Sequence, residues 1–463
     1  MRRRFLTVLI LSLGFSGAAF SQQRWERNYG GADHDWGYSV QQTSDGGYII
    51  AGETASFGNG IQFYLVKTNA NGDTLWTRTY GGTDTDRGYS VQQTQDGGYI
   101  VTGWTSSFGN WYEVYLVKTN TTGDTLWTQT YGGANEDYGY SVQQTSDEGY
   151  IIAGNTRSFG NDVQVYLVKT NASGDTLWTR SYGGTYTDRG YSVQQTSDGG
   201  YIIAGCTYSF GAGYADFYLI KTNASGDTLW TRTYGGANED YGYSVQQTTD
   251  GGYIVGGWTR SFGDSTQVYL VKTNATGDTL WTRNYGGWGE DYGWSVQQTS
   301  DSGYIVTGEA ELFGSYKVCL LKTNASGDTL WTQTYGGVGI DWGYSVQQTT
   351  DGGYIVAGVS GSVGNGLQVY LIKTDVNGNV GVEESRQGDK ETRGKGLTAT
   401  PNPFTSFATV PGHETDRFAL YDVSGRRVGT YKGDRIGEGL EAGVYFVREE
   451  GKDGKPLRIV KVR

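Results

Sequence analysis

The sequence contains few of the residues on which most active sites and metal centres depend. Among 463 residues there are only two histidines, two cysteines, one methionine and four prolines. With only His34 and His413, triad or other His-dependent chemistry has little to draw on. Cys206 and Cys319 are too few for a disulfide or metal framework and are interpreted as isolated substitutions. Phosphate-loop, zinc-cluster and Gly-x-Ser-x-Gly motifs are also missing, so we expect no cofactor and no metal.

Positive charge is scarce as well. The formal net charge of the whole chain is −12. The first 21 residues contribute +3 and residues 381–463 contribute +2, which leaves about −17 for residues 22–380. Because a surface this acidic repels phosphate backbones, we expect no nucleic-acid partner.

Only one long apolar run is present, and it lies at the N-terminus. Three arginines at positions 2–4 precede the apolar residues 5–20, and Ser21 ends a small-residue cleavage site. This order predicts a secretory signal peptide over residues 1–21. No cysteine follows the cleavage site, so a lipoprotein anchor is not expected. We also expect no transmembrane segment in the mature chain.

The chain is rich instead in glycine, aromatic residues and internal repeats. It contains 76 glycines, 37 tyrosines and 14 tryptophans. The run DTLWTRTYGG at residues 73–82 recurs down the chain, with its tryptophan at positions 25, 76, 127, 178, 230, 281 and 331. A period of about fifty residues indicates one structural unit stacked on itself. Runs rich in Tyr, Val, Ile, Thr and Trp between glycine-containing turns predict an all-β fold.

Each repeat divides into four predicted strands. In the second copy they are residues 88–94, 98–105, 114–119 and 125–131. Four antiparallel strands per repeat are typical of a β-propeller blade. The tryptophan strand is out of phase, since residues 24–29 precede the first full repeat and no such strand follows the last. We therefore predict a seven-bladed β-propeller over residues 22–380, closed by its N-terminal strand.

The run VKTNANGDTLW at residues 66–76 resembles the tryptophan-docking repeat of quinoprotein-type propellers. In that family, a glycine four residues before the tryptophan lets the indole pack on the turn of the neighbouring blade. Both residues match in six repeats, whereas the acidic and alanine positions of the family motif do not. The resemblance implies the propeller fold and not a quinone cofactor. We interpret the seven strand tryptophans as core residues.

The composition changes after the repeats. Residues 381–397 are charged and poor in apolar residues, which predicts a linker. Beyond it, PNPF at 401–404, LYDVSGRRV at 420–428, GLEAGVYFVR at 439–448 and RIVKVR at 458–463 closely resemble a type IX secretion type A sorting domain. The resemblance implies a small Ig-like β-sandwich over residues 398–463 that engages the type IX secretion machinery. It also implies a protein that is secreted or attached to the outer-membrane cell surface.

The connections of the repeat fall into two groups that lie on opposite faces of a four-stranded up-and-down blade. Turns of the kind at residues 44–47 and 69–73 are nearly identical in every copy. The other two loops vary between copies. Variation within a fixed frame predicts a recognition face on the variable side.

Aromatic and charged residues in or beside the variable loops form the predicted ligand-binding set. Its members are Trp36, Glu53, Trp104, Trp111, Tyr112, Arg157, Tyr208, Trp258, Arg260, Trp288, Glu309 and Trp342. A large aromatic residue that the repeat does not require either fills a gap or contacts a ligand, and the sequence leaves both interpretations open. Aromatic residues beside carboxylates and arginines suit stacking on a polysaccharide or an interface with a protein.

Two repeated signals are interpreted as structural. An aspartate recurs at positions 35, 86, 137, 188, 240, 291 and 341, and we predict that it binds backbone N–H groups of its own loop and not a metal. The asparagines of five Asn-x-Ser/Thr sequons, at positions 120, 171, 223, 274 and 324, are predicted to be turn residues and not glycosylation sites.

Three functions remain as hypotheses. The favoured one is a secreted or cell-surface propeller that binds an extracellular polysaccharide or protein through its variable face, without catalysis. The second is a propeller glycoside hydrolase or lyase whose carboxylate pair comes from Glu53, Glu113, Glu309 and Glu311. The third is a structural surface-layer or adhesion protein.

Overall fold

The computed structural model describes residues 24–109, 111–287, 289–312, 314–362, 366–381, 406–410, 415–422, 426–441, 443–450 and 457–461. Every regular element within these ranges is a β-strand, which confirms the predicted all-β class. The described residues accordingly include no apolar helix of membrane-spanning length. The predicted signal peptide and residues 382–397 of the predicted linker lie outside the described ranges.

Residues 25–374 form four-stranded antiparallel sheets, one for each sequence repeat. The first strand in the chain, β1 (Trp25–Tyr29), belongs to the last of these sheets. Sheet 1 consists of β2 (Asp35–Gln42), β3 (Tyr48–Thr54), β4 (Gln62–Thr68) and β5 (Thr74–Tyr80). Sheet 2 consists of β6 (Asp86–Gln93), β7 (Tyr99–Thr105), β8 (Glu113–Thr119) and β9 (Thr125–Tyr131). Sheet 3 consists of β10 (Asp137–Gln144), β11 (Tyr150–Thr156), β12 (Gln164–Thr170) and β13 (Thr176–Tyr182).

The remaining sheets continue the pattern. Sheet 4 consists of β14 (Asp188–Gln195), β15 (Tyr201–Thr207), β16 (Asp216–Thr222) and β17 (Thr228–Tyr234). Sheet 5 consists of β18 (Asp240–Gln247), β19 (Tyr253–Thr259), β20 (Gln267–Thr273) and β21 (Thr279–Tyr285). Sheet 6 consists of β22 (Asp291–Gln298), β23 (Tyr304–Leu312), β24 (Ser315–Thr323) and β25 (Thr329–Tyr335). Sheet 7 combines β26 (Asp341–Gln348), β27 (Tyr354–Ser360) and β28 (Gln368–Thr374) with β1. The predicted division of each repeat into four strands is confirmed.

Strand β1 supplies the outer strand of sheet 7. It pairs antiparallel with β28, so that Trp25 lies opposite Lys373 and Tyr29 lies opposite Val369. This pairing joins the N-terminal tryptophan strand to the last repeat.

The core lies between neighbouring sheets. All seven residues of β3 and of β4 are buried, whereas the outer strand β5 is mostly exposed. Ile49 and Leu65 of sheet 1 belong to one apolar cluster with Val101 and Tyr115 of sheet 2. The continuous apolar runs of the second and third strands follow from this arrangement, since both of their faces are covered.

Glutamine side chains join the first strands of neighbouring sheets. The backbone N–H of Gln93 donates to Oε1 of Gln41 at 2.6 Å. The same contact recurs at the following junctions. Between the last sheet and the first, the N–H of Gln42 donates to Oε1 of Gln347, also at 2.6 Å. The repeated Gln-Gln pair is therefore a connector between sheets.

The strand tryptophans are less buried than a core assignment predicts. Trp25 is only 7 % exposed, but Trp76 and its five later equivalents are half-buried on the outer strands. Trp76 packs over Gly123 in the turn of the next sheet and lies 5.7 Å from the guanidinium of Arg78. The core assignment is correct in part, because these indoles pack at the seam between sheets while one side of their strand faces water.

The C-terminal strands are β29 (Ala408–Thr409), β30 (Arg417–Asp422), β31 (Arg427–Lys432), β32 (Arg435–Ile436), β33 (Gly443–Glu449) and β34 (Leu457–Lys461). They form a four-stranded antiparallel sheet in the order β31-β30-β33-β34 and a two-stranded sheet of β29 and β32. Phe418, Leu420, Val447 and Ile459 lie in their common apolar cluster. Residues 401–404, which carry the PNPF motif, lie outside the described ranges, and the Ig-like sandwich stays a prediction.

Candidate functional site

The two groups of connections lie at opposite ends of the strands. Turns after the first and third strands define the back face, and they are held by their own side chains. Asp45 accepts the N–H of Gly47 at 3.0 Å and pairs with the buried Lys67 at 2.9 Å. Oδ1 of Asn120 accepts the N–H of Asp124 at 2.9 Å, which confirms the turn role predicted for the sequon asparagines. The near-identity of these turns thus has a structural cause.

Loops after the second and fourth strands define the front face, and the repeated aspartate anchors them. The buried Asp35 accepts the N–H of Gly31 at 2.8 Å and the hydroxyl of Ser56 at 2.7 Å. The glycine contact recurs in sheets 2–6, whereas Asp341 in sheet 7 accepts from two serines and Lys317. The predicted loop-anchoring role is confirmed. The described residues contain no cluster of metal-ligating side chains.

One aromatic residue of each first strand joins a circuit of contacts that we call the aromatic girdle. Its members are Tyr38, Tyr89, Tyr140, Tyr191, Tyr243, Trp294 and Tyr344. Neighbouring ring centroids lie between 4.5 and 5.9 Å apart, and Tyr344 contacts Tyr38 at 5.2 Å. Each member sits at a β-bulge, where the strand register shifts by one residue. A bulge re-aims a side chain, and here it directs one aromatic ring of every sheet to the same place.

A second ring of residues, the mouth ring, lies on the front-face side of the girdle. It consists of seven cross-strand pairs: Trp36 and Glu53, Arg87 and Trp104, Tyr138 and Asn155, Arg189 and Cys206, Tyr241 and Trp258, Tyr292 and Glu309, and Trp342 and Val359. Four of its aromatic members stack on the girdle, as Tyr138 does on Tyr140 with an interplanar angle of 5°. The residue type changes from sheet to sheet while the frame around it stays the same.

Six residues of the predicted ligand-binding set belong to the mouth ring: Trp36, Glu53, Trp104, Trp258, Glu309 and Trp342. Four more lie at its edge, where each contacts a mouth-ring residue or a front-face carboxylate: Tyr112, Arg157, Tyr208 and Arg260. Trp111 is 56 % exposed. Trp288 lies outside the described residues.

The mouth-ring tryptophans divide by burial. Trp104 and Trp258 are only 9 % and 8 % exposed and pack edge-on against Tyr138 and Tyr292. They fill gaps in the packing and present little surface. Trp36 and its neighbour Trp342 are half-buried, with ring centroids 5.4 Å apart. Of the four, this last pair retains more surface for a ligand.

Two carboxyl groups of the mouth ring have a strongly perturbed pKa. Burial raises the pKa of Glu53 to about 7, although the guanidinium of Arg87 at 3.3 Å opposes the shift. Burial, together with the charge of Glu290, also raises the pKa of Glu309 to about 7. Both carboxyl groups act electrostatically on Tyr344 of sheet 7, which lies between sheets 6 and 1.

The charged groups at the edge of the mouth ring are mostly paired. Arg260 binds Glu239 at 2.7 Å and lies 3.7 Å from Glu290. Arg157 lies 3.5 Å from Glu136. Such partly exposed pairs add little stability and leave their charges available to a ligand.

A cavity of about 340 Å³ opens on the front face over sheets 2–4. The lining side chains relevant to binding are Trp104, Tyr138, Asn155, Arg157 and Arg189. Pockets that hold small molecules or side chains of a partner have volumes of about 300–1,000 Å³. This cavity is therefore large enough for one such group.

Sequence reasoning missed three of the residues in this cavity, namely Tyr138, Asn155 and Arg189. All three lie within strands, whereas the sequence-based prediction concentrated on loops and on tryptophan. The signal was present in the repeats, because these positions vary inside otherwise repeated strands such as D-x-G-Y-S-V-Q-Q. The girdle was missed for the opposite reason, since a tyrosine present in nearly every copy looks structural.

Comparisons with known proteins give limited likeness. No protein-family model matches the chain. The chain is 28 % identical over 138 residues to the regulatory protein FlaEY of Caulobacter vibrioides, a match covering 26 % of this chain and 14 % of that protein. The matched region thus spans about a seventh of the curated relative.

Solved structures with a similar fold are WD40-type proteins. Sqt1 of Chaetomium thermophilum, bound to the N-terminus of ribosomal protein L10, is 12 % identical with a TM-score of 0.45. The match covers 75 % of this chain and 98 % of that one. The Pan2 WD40 domain of Neurospora crassa is 9 % identical with a TM-score of 0.42, covering 74 % and 97 % of the two chains.

Proposed function

We propose that the protein is a seven-bladed, ring-closed β-propeller that binds another protein through the mouth ring and the surrounding front-face loops. Pairing of β1 with β28, the glutamine contact between sheets 7 and 1, and the contact between Tyr344 and Tyr38 support closure. Ring closure also gives sheet 7 its fourth strand, so that every sheet has the same outer strand.

The observation that carries the binding proposal is the convergence of the variable residues on one surface. Positions that change between repeats meet at the mouth ring, while the back-face turns repeat almost without change. Nine of the fourteen mouth-ring residues are tryptophan, tyrosine or arginine, which are the types that dominate the binding energy of protein interfaces. Alternating paired charges around this surface would orient a partner.

A cross-linking experiment with two matched variants tests this proposal. A photo-reactive residue at position 112, on the front face, is compared with one at position 173, in a back-face turn, on live cells and culture medium. Cross-linked proteins are identified, purified and titrated. Arg157→Glu should weaken binding at least tenfold. Arg180→Glu on an outer strand should not, although its guanidinium also lies near one carboxylate, at 3.6 Å.

Two results would refute protein binding. A partner that cross-links equally well from the back face would show that the front face is not the interface. Binding to glycans on an array, with no cross-linked protein, would favour the polysaccharide alternative.

A catalytic alternative rests on Glu53 and Glu309. A carboxyl group with a pKa of about 7 can act as a general acid near neutral pH, and a glycosidase pairs such an acid with a second carboxylate that is ionised. Turnover of a glycan that is abolished by both Glu53→Gln and Glu309→Gln would establish this alternative. Glu113, by contrast, belongs to the sheet framework, as its equivalents Gln62 and Gln164 do.

We also propose that the protein is exported, as a secreted or cell-surface protein. The support is the predicted signal peptide over residues 1–21 and the sorting-domain motifs within residues 398–463.

A further inference from the structure

Arg189 is the charged group of the front-face cavity without a charged partner. It lies half-buried in the mouth ring beside the hydroxyl of Tyr191 and the thiol of Cys206. Burial raises the pKa of Cys206 to about 12, so that this thiol is neutral at pH 7. Among the residues that the structure describes, no carboxylate lies within ion-pair distance of the Arg189 guanidinium.

The other front-face arginines show that this situation is unusual. Arg87 lies 3.3 Å from Glu53, Arg157 lies 3.5 Å from Glu136, and Arg260 lies 2.7 Å from Glu239. A partly buried guanidinium without a counter-charge is costly, because its hydration is reduced and nothing replaces it. An incoming anion would remove that cost.

Asn155 provides a second, independent sign of a ligand. Its side chain lines the same cavity and is 5 % exposed, and its Oδ1 atom accepts no hydrogen bond from any residue within the described ranges. A buried carbonyl oxygen of this kind needs a donor. Five aromatic side chains form walls of the cavity, and two of them, Trp104 and Tyr138, pack edge to face with ring centroids 5.8 Å apart.

We propose that this cavity is a carboxylate subsite that receives an acidic side chain, or the C-terminal carboxylate, of a peptide segment. Arg189 binds the carboxylate, Oδ1 of Asn155 accepts a peptide N–H, and the aromatic walls cover the aliphatic part of the residue. The proposal rests on the proposed function, since it names the group by which the protein partner is anchored.

A peptide fits these features better than an acidic polysaccharide does. Besides Arg189 the cavity contains one arginine and one glutamate, Arg157 and Glu136, which pair with each other. It therefore compensates one negative charge. The net charge of −12 repels a chain of uronates, whereas a neutral or basic peptide with a single carboxylate avoids that repulsion.

Titrations with small capped amino acids test the subsite directly. N-acetyl-glutamate α-amide is compared with N-acetyl-glutamine amide, which lacks the charge, and with galacturonate, by ligand-detected NMR on the full-length protein. The glutamate derivative should bind at least tenfold more tightly than either of the others. Arg189→Gln should weaken its binding at least tenfold, and Arg180→Gln, on the outer strand β13 away from the front face, should change it less than twofold.

A second variant distinguishes loss of the subsite from misfolding of Arg189→Gln. Asn155→Asp places a carboxylate inside the cavity, so it should abolish binding of the glutamate derivative while the melting temperature stays the same or rises. Equal binding of the glutamine derivative, tighter binding of galacturonate, or equal losses in Arg189→Gln and Arg180→Gln would each overturn the proposal. So would a cross-linked protein partner whose affinity is unchanged by Arg189→Gln, even though the proposed function would then stand.

Discussion

Glu113→Gln should stabilise the protein, and it should do so only at neutral and higher pH. Glu113 begins β8 at a position that holds glutamine in sheets 1, 3, 5 and 7. In sheet 3, Nε2 of Gln164 donates to the carbonyl of Gly184 at 3.3 Å, but a glutamate cannot make that bond. Glu113 lies instead beside Asp137, and burial together with that charge raises its pKa from 4.5 to about 7.

The direction of the pH effect follows from the raised pKa. Below pH 4.5 the carboxyl group is neutral in both the folded and the unfolded chain, so it costs nothing. As the pH rises through 4.5 to about 7 the unfolded chain releases its proton first, and stability falls. Each tenfold change in proton affinity corresponds to about 1.4 kcal/mol. Because Glu113 is partly exposed, we halve the resulting figure and expect a gain of roughly 1–2 kcal/mol for the glutamine variant at pH 8.

Denaturant unfolding of the wild type and of Glu113→Gln at pH 5 and pH 8 measures this gain. The difference in unfolding free energy should be roughly 1–2 kcal/mol at pH 8 and less than about 0.5 kcal/mol at pH 5. Gln164→Glu is the matched reverse change, since it creates the same carboxylate in sheet 3 beside Asp188, and it should destabilise more at pH 8 than at pH 5. Equal gains for Glu113→Gln at both pH values would refute the electrostatic reasoning.

Three further predictions follow from the repeats. Glu148 and Ser302 occupy a back-face turn position with a φ of 66°, and the other copies have glycine at this position. Replacing either residue by glycine should therefore raise the free energy of unfolding by about 0.5–1 kcal/mol, as measured by denaturant titration. Deleting residues 22–31 removes β1 with its buried Trp25 and should cost about 4 kcal/mol or more, whereas deleting residues 385–394 should cost little. Similarly small losses of stability in the two deletion variants would contradict ring closure. Deleting residues 398–463 should keep the protein inside the outer membrane in a fractionation assay, and its appearance in the medium would contradict the sorting assignment.

The sequence alone predicts the framework well because features that recur in every repeat can be told apart from features of a single copy. Seven copies of each strand show the same turns and apolar runs, and the out-of-phase tryptophan strand points to the pairing of β1 with β28. The strand bounds of the second sheet agree with the prediction to within two residues. The anchoring role of Asp35 and its equivalents can also be predicted from the sequence, since aspartates that recur in every copy cannot all belong to a single site.

The candidate site is harder to predict because it depends on which side chains meet across strands. Trp104 and Trp258 stand out in the sequence, yet the register places them opposite Arg87 and Tyr241, where they are almost covered. Arg189 looks ordinary in the sequence. It becomes notable only because the residue opposite it across the strands, Cys206, is neutral. The residue in the same place opposite Trp36 is a glutamate, Glu53.

The layout of the first strand explains how the mouth ring varies without loss of the fold. In β2, Asp35 anchors the front-face loop, Tyr38 enters the girdle, and Gln41 accepts the hydrogen bond from the next sheet. Position 36 lies between these and belongs to none of them. Its equivalents are Trp, Arg, Tyr, Arg, Tyr, Tyr and Trp in sheets 1–7. A substitution there changes the charge and shape of the mouth ring while the loop anchor, the girdle and the connector between sheets all remain. The surface proposed for recognition is therefore separated from the contacts that stabilise the fold within a single strand.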